Sequence, residues 1–281
     1  MEVCIIGIGL IGGSLAIDLK RRGFATAITG VDSNIHHQNI ALHSGLVDKI
    51  DTLQHAVKKS DLIILSTPVN ANKEMLPEIL NLVKGTSKVV TDMGSTKAGI
   101  AGEVINHPGR GRYVASHPMA GTEFSGPMAA IGKLFDYKHV IICDRELSDP
   151  DALATVTEMY NILNMRISNM TAIDHDIHVA YVSHISHITS FSLALSVLDK
   201  EKDEENILKL AGGGFESTVR LAKSSAETWA PIFLQNSEYI IEVLDNYLDK
   251  MNLFRKYILE KNPEGLKELI DEANKIRKIL N

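Results

Sequence analysis

The chain opens with Val3-Cys4-Ile5-Ile6-Gly7-Ile8-Gly9-Leu10-Ile11-Gly12, an apolar run that leads directly into a glycine-rich turn. The first glycine permits a tight strand-to-helix turn, the second lets backbone approach a pyrophosphate, and the third lets the helix pack close to the strand. A helix expected from about Ile11 to Arg22 then points its N-terminal amides at the phosphates. The stretch predicts a dinucleotide-binding turn whose cofactor contacts come from Gly7, Gly9, Leu10, Ile11 and Gly12.

An acidic residue follows the second predicted strand, which covers residues 27–32 and ends in Asp32. A carboxylate at that point accepts hydrogen bonds from a ribose 2′-hydroxyl and repels a 2′-phosphate. The next residues, Ser33 to His37, include no Arg or Lys that would hold such a phosphate. The sequence therefore favours NAD over NADP, and His36 or His37 could soften that preference.

Composition limits the classes of partner. The chain has 281 residues, 44% hydrophobic and 23% charged, which suits a globular protein with two cored domains. Its net charge of −6 argues against nucleic acid or an anionic membrane as partner, and no run approaches the ~20 apolar residues of a membrane span. Cys4 and Cys143 lie in apolar strand-like runs, so we expect buried, unpaired thiols and a cytoplasmic location.

Short β-branched runs alternate with helical stretches in the first half of the chain. The predicted strands are 3–6, 27–32, 61–66, 87–92, 113–116, 139–143 and 165–169. This alternation predicts an α/β Rossmann-type domain with a parallel sheet, and ligands bind such sheets at the carboxyl ends of the strands. The residues that follow these strands include Ser66, Thr67 and Pro68, the stretch Asp92–Lys97, and Ser116–Pro118.

The pattern changes to helical from about Thr171. We expect a central buried helix over 171–198, capped by Thr171 and Asp174, with the charged stretch Asp199–Asn206 as its solvated exit. A hinge at Gly212–Gly214 and helices from roughly Trp229 to Leu259 and from Pro263 to Leu280 complete the second half. The predicted organisation is a dinucleotide-binding domain over 1–170 and an all-α substrate and dimerisation domain over 171–281, with a cleft between them.

Several histidines could carry chemistry. His117 follows a predicted strand and is placed either as a general base beside a nicotinamide or as a loop residue that caps a turn. His184 and His187 are one helical turn apart, as are His175 and His178. Each pair could be a metal pair or a polar stripe along a cleft. Because no further Asp, Glu or Cys ligand is near His184 and His187, we predict no metal site and favour a cleft-facing role for these two histidines.

The other polar candidates remain open between two roles. Arg220 follows the glycine triplet and could bind a substrate carboxylate through its forked guanidinium, or form a surface salt bridge. Ser95 and Lys97 are similarly ambiguous. Trp229, the only tryptophan, is expected in a core or an interface.

These motifs together resemble the prephenate/arogenate dehydrogenases of tyrosine biosynthesis. The matching elements span positions 3 to about 236 in the family's order: Gly7–Ala16, Thr91–Lys97, Ser116–Glu123, Ser183–His187, and Gly212–Arg220 followed by Trp229. The first element is shared with many dehydrogenases, whereas the later ones are specific in combination.

The resemblance implies NAD-dependent hydride transfer from C4 of prephenate with loss of the ring carboxylate as CO2. It implies that His117 takes the C4 hydroxyl proton, that Ser95 orients His117 and touches substrate and nicotinamide, and that Arg220 binds a substrate carboxylate. It also places His187, His184, Thr122, Glu123 and Gly213 around the substrate. Ser217, Val219 and the stretch Thr228–Pro231 depart from many relatives, which leaves arogenate as the alternative substrate.

Two other functions stay open at this point. A β-hydroxyacid dehydrogenase has a similar outline but carries a catalytic Lys on its interdomain helix, and Val179–Ser190 contains none. A non-catalytic NAD-binding regulator would need none of Ser95, His117, His187 and Arg220. We expect a homodimer through the helical domain, and inhibition by tyrosine, if it occurs, at or near the active site because the sequence ends at Asn281.

Overall fold

The computed structural model describes residues 1–202 and 207–279, and the chain divides into two compact units, Met1–Asn236 and Ser237–Asn281. The first unit contains one eight-stranded sheet in the order β3-β2-β1-β4-β5-β6-β7-β8. The strands are β1 (Glu2–Ile6), β2 (Ala27–Val31), β3 (Lys49–Ile50), β4 (Leu62–Leu65), β5 (Val89–Asp92), β6 (Tyr113–Pro118), β7 (His139–Cys143) and β8 (Arg166–Met170).

The sheet confirms the Rossmann-type prediction, with one correction. β7 runs antiparallel to β6, so the expectation of a wholly parallel sheet is wrong. A parallel return needs a crossover, usually a helix, but residues 119–138 contain only one 3₁₀ turn, Pro127–Ala129. β3 was not predicted, because its two residues carry too little hydrophobic pattern.

Helices cover both faces of the sheet within the first unit. One core packs α1, α2 and α6 on one face, and a second packs α3, α4 and α5 with α7 and α10 on the other. The helices are α1 (Leu10–Arg21), α2 (Ile35–His43), α3 (Leu53–Lys59), α4 (Val69–Val83), α5 (Ala98–Glu103), α6 (Pro150–Ile162), α7 (Ala172–Val179), α8 (Ile185–Glu201), α9 (Gly213–Val219), α10 (Ala226–Gln235), α11 (Ser237–Leu259) and α12 (Pro263–Asn274).

The helix predicted over 171–198 has three parts. α7 passes through a π-helical turn, Ala180–His184, into α8, and the Thr171 side chain caps α7 as expected. The prediction that this helix is buried is wrong for α8 in the single chain, where Leu195 is 62% and Leu198 is 49% exposed.

The remaining helical boundaries also shift. The helix expected from Trp229 to Leu259 breaks at Asn236, and the helix from Pro263 ends at Asn274, followed by a 3₁₀ turn. The glycine triplet begins α9 with Gly212 as its N-cap instead of forming a hinge. Residues 203–206 of the expected charged exit, and Leu280, lie outside the described residues.

The cysteines and the membrane-span criterion are two features on which the sequence made a prediction. Cys4 and Cys143 are both buried and unpaired, as predicted. Among the helices of residues 1–202 and 207–279, none has the length and apolarity required to cross a membrane.

Candidate active site

The glycine-rich turn depends on contacts that a side chain would disrupt. Gly7 has φ +88°, and a Cβ on it would lie 2.7 Å from the carbonyl oxygen of Ser66. A Cβ on Gly12 would lie 2.1 Å from the Gly7 carbonyl oxygen. Gly9, the N-cap of α1, differs because a Cβ there would meet nothing within 4 Å. The turn therefore leaves open space before an uncapped helix N-terminus, which fits a pyrophosphate.

Asp32 is fixed beside this turn. Its Oδ2 accepts a hydrogen bond from the Ile8 amide at 2.9 Å, and its Oδ1 accepts one from the Asn34 amide at 2.9 Å. His37 Nδ1 lies 3.6 Å from Oδ2. These bonds hold the carboxylate at the end of β2, the position from which it can accept a ribose hydroxyl.

The residues after β4 support the same turn. Ser66 Oγ donates to the Gly7 carbonyl oxygen at 2.6 Å, and Thr67 Oγ1 donates to Asn72 Oδ1 at 2.6 Å. Pro68 is the N-cap of α4. The predicted cofactor residues Ser66, Thr67 and Pro68 thus lie at the carboxyl edge of the sheet, next to the glycines.

His117 lies near the carboxyl end of β6 and is 8% exposed. Its Nδ1 is 2.8 Å from Nε2 of His175 on α7, so its side chain does not cap a turn. Burial, followed by the charges of His175 and Lys97, holds the pKa of His117 well below its ordinary value. A neutral imidazole can accept a proton, and the lowered pKa keeps His117 neutral even at pH values where an ordinary histidine is protonated.

A buried ion pair lies beneath His117. Lys97 Nζ binds Asp92 and also donates to the Ser116 carbonyl oxygen at 2.8 Å. Tyr113 OH donates to Asp92 Oδ1 at 2.7 Å. Because Lys97 and Asp92 are fully buried, each charge is stabilised by the other instead of by water. Through the bond from Lys97 to the Ser116 carbonyl oxygen, the pair also fixes the strand on which His117 lies.

The helix histidines separate into different environments. His184, in the π-helical turn, accepts at Nδ1 from Asn236 Nδ2 at 3.0 Å, and burial lowers its pKa to about 4. His178 is exposed and contacts the Asp174 carbonyl oxygen, so His175 and His178 do not form a pair. π-helical turns are frequent at functional sites.

His187 stacks on Trp229, with ring centroids 3.4 Å apart and planes 23° apart. Its Nδ1 contacts the Ser183 carbonyl oxygen at 3.1 Å, and burial, with Arg220 as a further charge, lowers its pKa. His187 Nδ1 therefore donates, which leaves Nε2 as its second hydrogen-bonding atom. Trp229 packs against the second core, which agrees with the expectation that it lies in a core or an interface.

Arg220 begins the 3₁₀ turn after α9. Its Nη1 is 3.2 Å from Glu123 Oε2, and its side chain is 51% exposed. Thr122 Oγ1 accepts from the Phe124 amide, and a Cβ on Gly213 would meet nothing within 4 Å. An exposed ion pair of this kind is weakly held, so the guanidinium can exchange Glu123 for an anionic ligand.

Some site residues were not identified from the sequence. In the structure the side chain that orients His117 is His175. Among the described residues, the Ser95 hydroxyl has no hydrogen-bond partner. Asp176 and Asn236 connect to the same cluster through His175 and His184. The adjacent residues His175 and Asp176 could have indicated this cluster from the sequence. Helical spacing instead predicted that His175 pairs with His178.

Family models match almost the whole chain. The model described as prephenate dehydrogenase, nucleotide-binding domain, matches residues 15–169. The model described as prephenate dehydrogenase, dimerization domain, matches residues 171–272.

Individual relatives agree with these matches. The chain is 30% identical to a prephenate dehydrogenase of Bacillus subtilis, over 94% of this chain and 72% of that protein. The structure is similar to a prephenate dehydrogenase from Aquifex aeolicus in complex with hydroxyphenyl propionate and NAD+, with TM-score 0.88, 30% identity and coverage of 100% and 98%. It is also similar to Synechocystis arogenate dehydrogenase, with TM-score 0.74, 27% identity and full coverage of both chains.

Proposed function

The chain belongs to the prephenate dehydrogenase family and is an NAD-dependent oxidoreductase, and we propose that it converts prephenate to 4-hydroxyphenylpyruvate with His117 as its general base. The observation that carries the assignment of the base is the buried, neutral His117 at the carboxyl edge of the sheet. The glycine turn and Asp32 lie at that same edge, where ligands of such sheets bind.

The cofactor is held by the first strands of the sheet. Gly7, Gly9, Leu10, Ile11 and Gly12 would carry the pyrophosphate, Asp32 the adenosine ribose, and Ser66, Thr67, Pro68 and Ser95 the remaining contacts. NAD, when bound, supplies the acceptor for the hydride. The open space before Gly9 and the fixed carboxylate of Asp32 support this assignment.

In the proposed reaction His117 accepts one proton and later returns it. As the hydride leaves C4 of prephenate, the C4 hydroxyl proton passes to His117 and the C4–O bond becomes a carbonyl. The bond from the ring to its carboxylate then breaks, CO2 leaves, and its electron pair makes the ring aromatic. The proton returns from His117 to the phenolic oxygen. Aromatisation drives the reaction, so positioning and this proton transfer are the protein's main tasks.

Arg220 would bind a carboxylate of the dianionic substrate, because its guanidinium is half-exposed and close enough to His187 for its charge to lower the pKa of that histidine. His187, His184, Thr122, Glu123 and Gly213 would surround the same substrate, and Glu123 holds Arg220 before substrate arrives. Ser95 would contact both substrate and nicotinamide. These roles remain proposals that rest on the family motifs and on the contacts around Arg220.

NADH formation tests the base directly. Wild type and His117→Asn are supplied with NAD and prephenate, and the exposed His178→Asn variant serves as a matched control. We expect kcat to fall by about 10²- to 10⁴-fold in His117→Asn alone, with NAD binding retained. Wild-type rates in His117→Asn would refute the assignment of the base.

Arogenate is the second candidate substrate. It differs from prephenate in the side chain, and Ser217, which departs from many relatives, lies in α9 just before Arg220. The similarity to the Synechocystis arogenate dehydrogenase supports this alternative. Measuring kcat/KM for both substrates decides between them, because turnover of arogenate alone would keep the mechanism and change the substrate.

We further propose a homodimer, and a functional boundary after residue 170, where β8 ends and the second family model begins, within the compact unit Met1–Asn236. The exposed side chains of Leu195 and Leu198 on α8 and the match to a dimerization-domain model support the dimer. Sedimentation of wild type and Leu195→Glu tests it, and a monomeric wild-type mass would refute it. Two buried, unpaired cysteines are compatible with the proposed cytoplasmic location, which cell fractionation tests.

A further inference from the structure

A hydrogen-bonded chain connects His117 to a buried carboxylate. His117 Nδ1 is 2.8 Å from His175 Nε2, and His175 Nδ1 is 2.7 Å from Asp176 Oδ1. Asp176 in turn accepts from the Lys97 amide at 2.7 Å and from the Ala98 amide at 2.8 Å. His175 is fully buried and Asp176 is 1% exposed, so the chain is sealed from water.

The order of donors and acceptors along this chain is fixed from the carboxylate end. An ionised carboxylate only accepts, so His175 Nδ1 must carry the hydrogen that it shares with Asp176. A neutral His175 then has its lone pair on Nε2, and this lone pair accepts from His117 Nδ1. The hydrogen on His117 is thereby placed on Nδ1, and its lone pair on Nε2.

We infer that Asp176 and His175 are positioning residues that hold His117 in the tautomer whose Nε2 can accept the substrate proton. The inference deepens the proposed function and rests on it for the identity of that proton. Asp176 also lies two rings away from the positive charge that forms on His117. Its negative charge therefore favours the protonated His117 as the reaction proceeds.

A purely structural role makes a different prediction. Asp176 also anchors two backbone amides at the start of α5, so its loss could simply loosen the segment after β5. In that case activity would fall together with thermal stability and cofactor binding. In our proposal kcat of Asp176→Asn falls while the affinity for NAD is retained, because the variant loses the negative charge that favours protonated His117, although its amide group can accept only one of the two backbone N–H bonds.

The test compares Asp176→Asn, Asp176→Glu and Asp174→Asn. Asp174 lies on the same helix, is exposed and serves as the matched control. We expect kcat of Asp176→Asn to fall by about 10²- to 10⁴-fold, as for loss of the orienting carboxylate of a catalytic histidine. Asp176→Glu should recover part of the rate, and Asp174→Asn should equal wild type.

Nitrogen-15 NMR of histidine-labelled protein reads the tautomer without any turnover. We expect His117 to be protonated at Nδ1 in wild type. His175→Phe, which removes the acceptor of His117 Nδ1 and keeps the Asp176 bonds to both amides, should lose this preference and the rate, whether or not Asp176→Asn folds. An unchanged His117 tautomer, or kcat within threefold of wild type, would overturn the inference. Wild type inactive on both substrates but with the Nδ1 tautomer would contradict only the proposed function.

Discussion

Two substitutions in the glycine turn should separate folding from cofactor binding. Gly12→Ala places a Cβ 2.1 Å from the Gly7 carbonyl oxygen and 2.5 Å from Ser66 Oγ. Both distances are well inside the ~3.5 Å at which non-bonded atoms pack best. Because one neighbour is backbone, strand and helix must move apart. Overpacking of this kind costs about 1–3 kcal/mol, and the upper value lowers Tm by roughly 6–12 °C in a unit of this size.

Gly9→Ala is the matched substitution, since its Cβ meets nothing within 4 Å and its φ of −86° suits alanine. The loss of a glycine N-cap costs about 1 kcal/mol or less, or roughly 2–4 °C in Tm. The methyl group, however, fills the space before α1 that the pyrophosphate needs. We expect NAD affinity to fall at least about tenfold, which corresponds to 1.4 kcal/mol.

Thermal unfolding with and without NAD measures both effects. At 100 times its Kd, NAD should stabilise wild type by about 2.7 kcal/mol, and a tenfold weaker variant by about 1.4 kcal/mol at the same concentration. Titration calorimetry gives the affinities independently. If Gly9→Ala binds NAD as wild type does, or if Gly12→Ala leaves Tm unchanged, the reasoning about the turn is refuted.

Three further perturbations test the rest of the site. Arg220→Gln should raise the KM for prephenate about 10- to 100-fold through loss of a charge-assisted bond, with NAD affinity unchanged; Lys223→Gln, on the same 3₁₀ turn, is the control, and equal KM values would remove Arg220 from the substrate site. His184 has its pKa lowered from 6.5 to about 4, so the unfolded chain takes up the proton first as pH falls. Stability should therefore fall from pH 6.5 downward, by about 2 kcal/mol at pH 5, and Tm measured against pH should lose that part in His184→Gln but not in His178→Gln. Lys97→Met leaves Asp92 buried and unpaired and should cost about 3–5 kcal/mol in denaturant unfolding; Lys97→Met/Asp92→Asn should recover part of this loss, and additive losses would show that the two charges are not coupled.

The strand pattern and the order of glycines predicted the nucleotide-binding half correctly because each signal is local. Val3 to Gly12 contains a buried strand, its turn and the start of its helix, and Asp32 follows the next strand at a fixed spacing. The direction of β7 was not predictable in this way, because it depends on how residues 119–138 cross the molecule. Hydrophobic periodicity carries no information on that path.

The orienting contact of His117 shows a second limit. His117 and His175 are 58 residues apart, and only the packing of α7 against α5 and β7 brings His117 Nδ1 to 2.8 Å from His175 Nε2. Helical spacing indicated a His175/His178 pair, but the buried face of α7 turns His175 inward and leaves His178 in solvent. The apolar pattern of α8 likewise predicts a face that must be covered, but it does not specify which element covers it, and Leu195 is exposed in the single chain.

The most direct test of the central claim is the stoichiometry of the reaction with prephenate and NAD, with NADH followed by absorbance, CO2 trapped and the organic product identified. We predict one NADH, one CO2 and one 4-hydroxyphenylpyruvate for each prephenate consumed. NADH without CO2 would indicate simple oxidation of a hydroxyl group. Bound NAD without turnover of prephenate or arogenate would contradict a catalytic role for this chain.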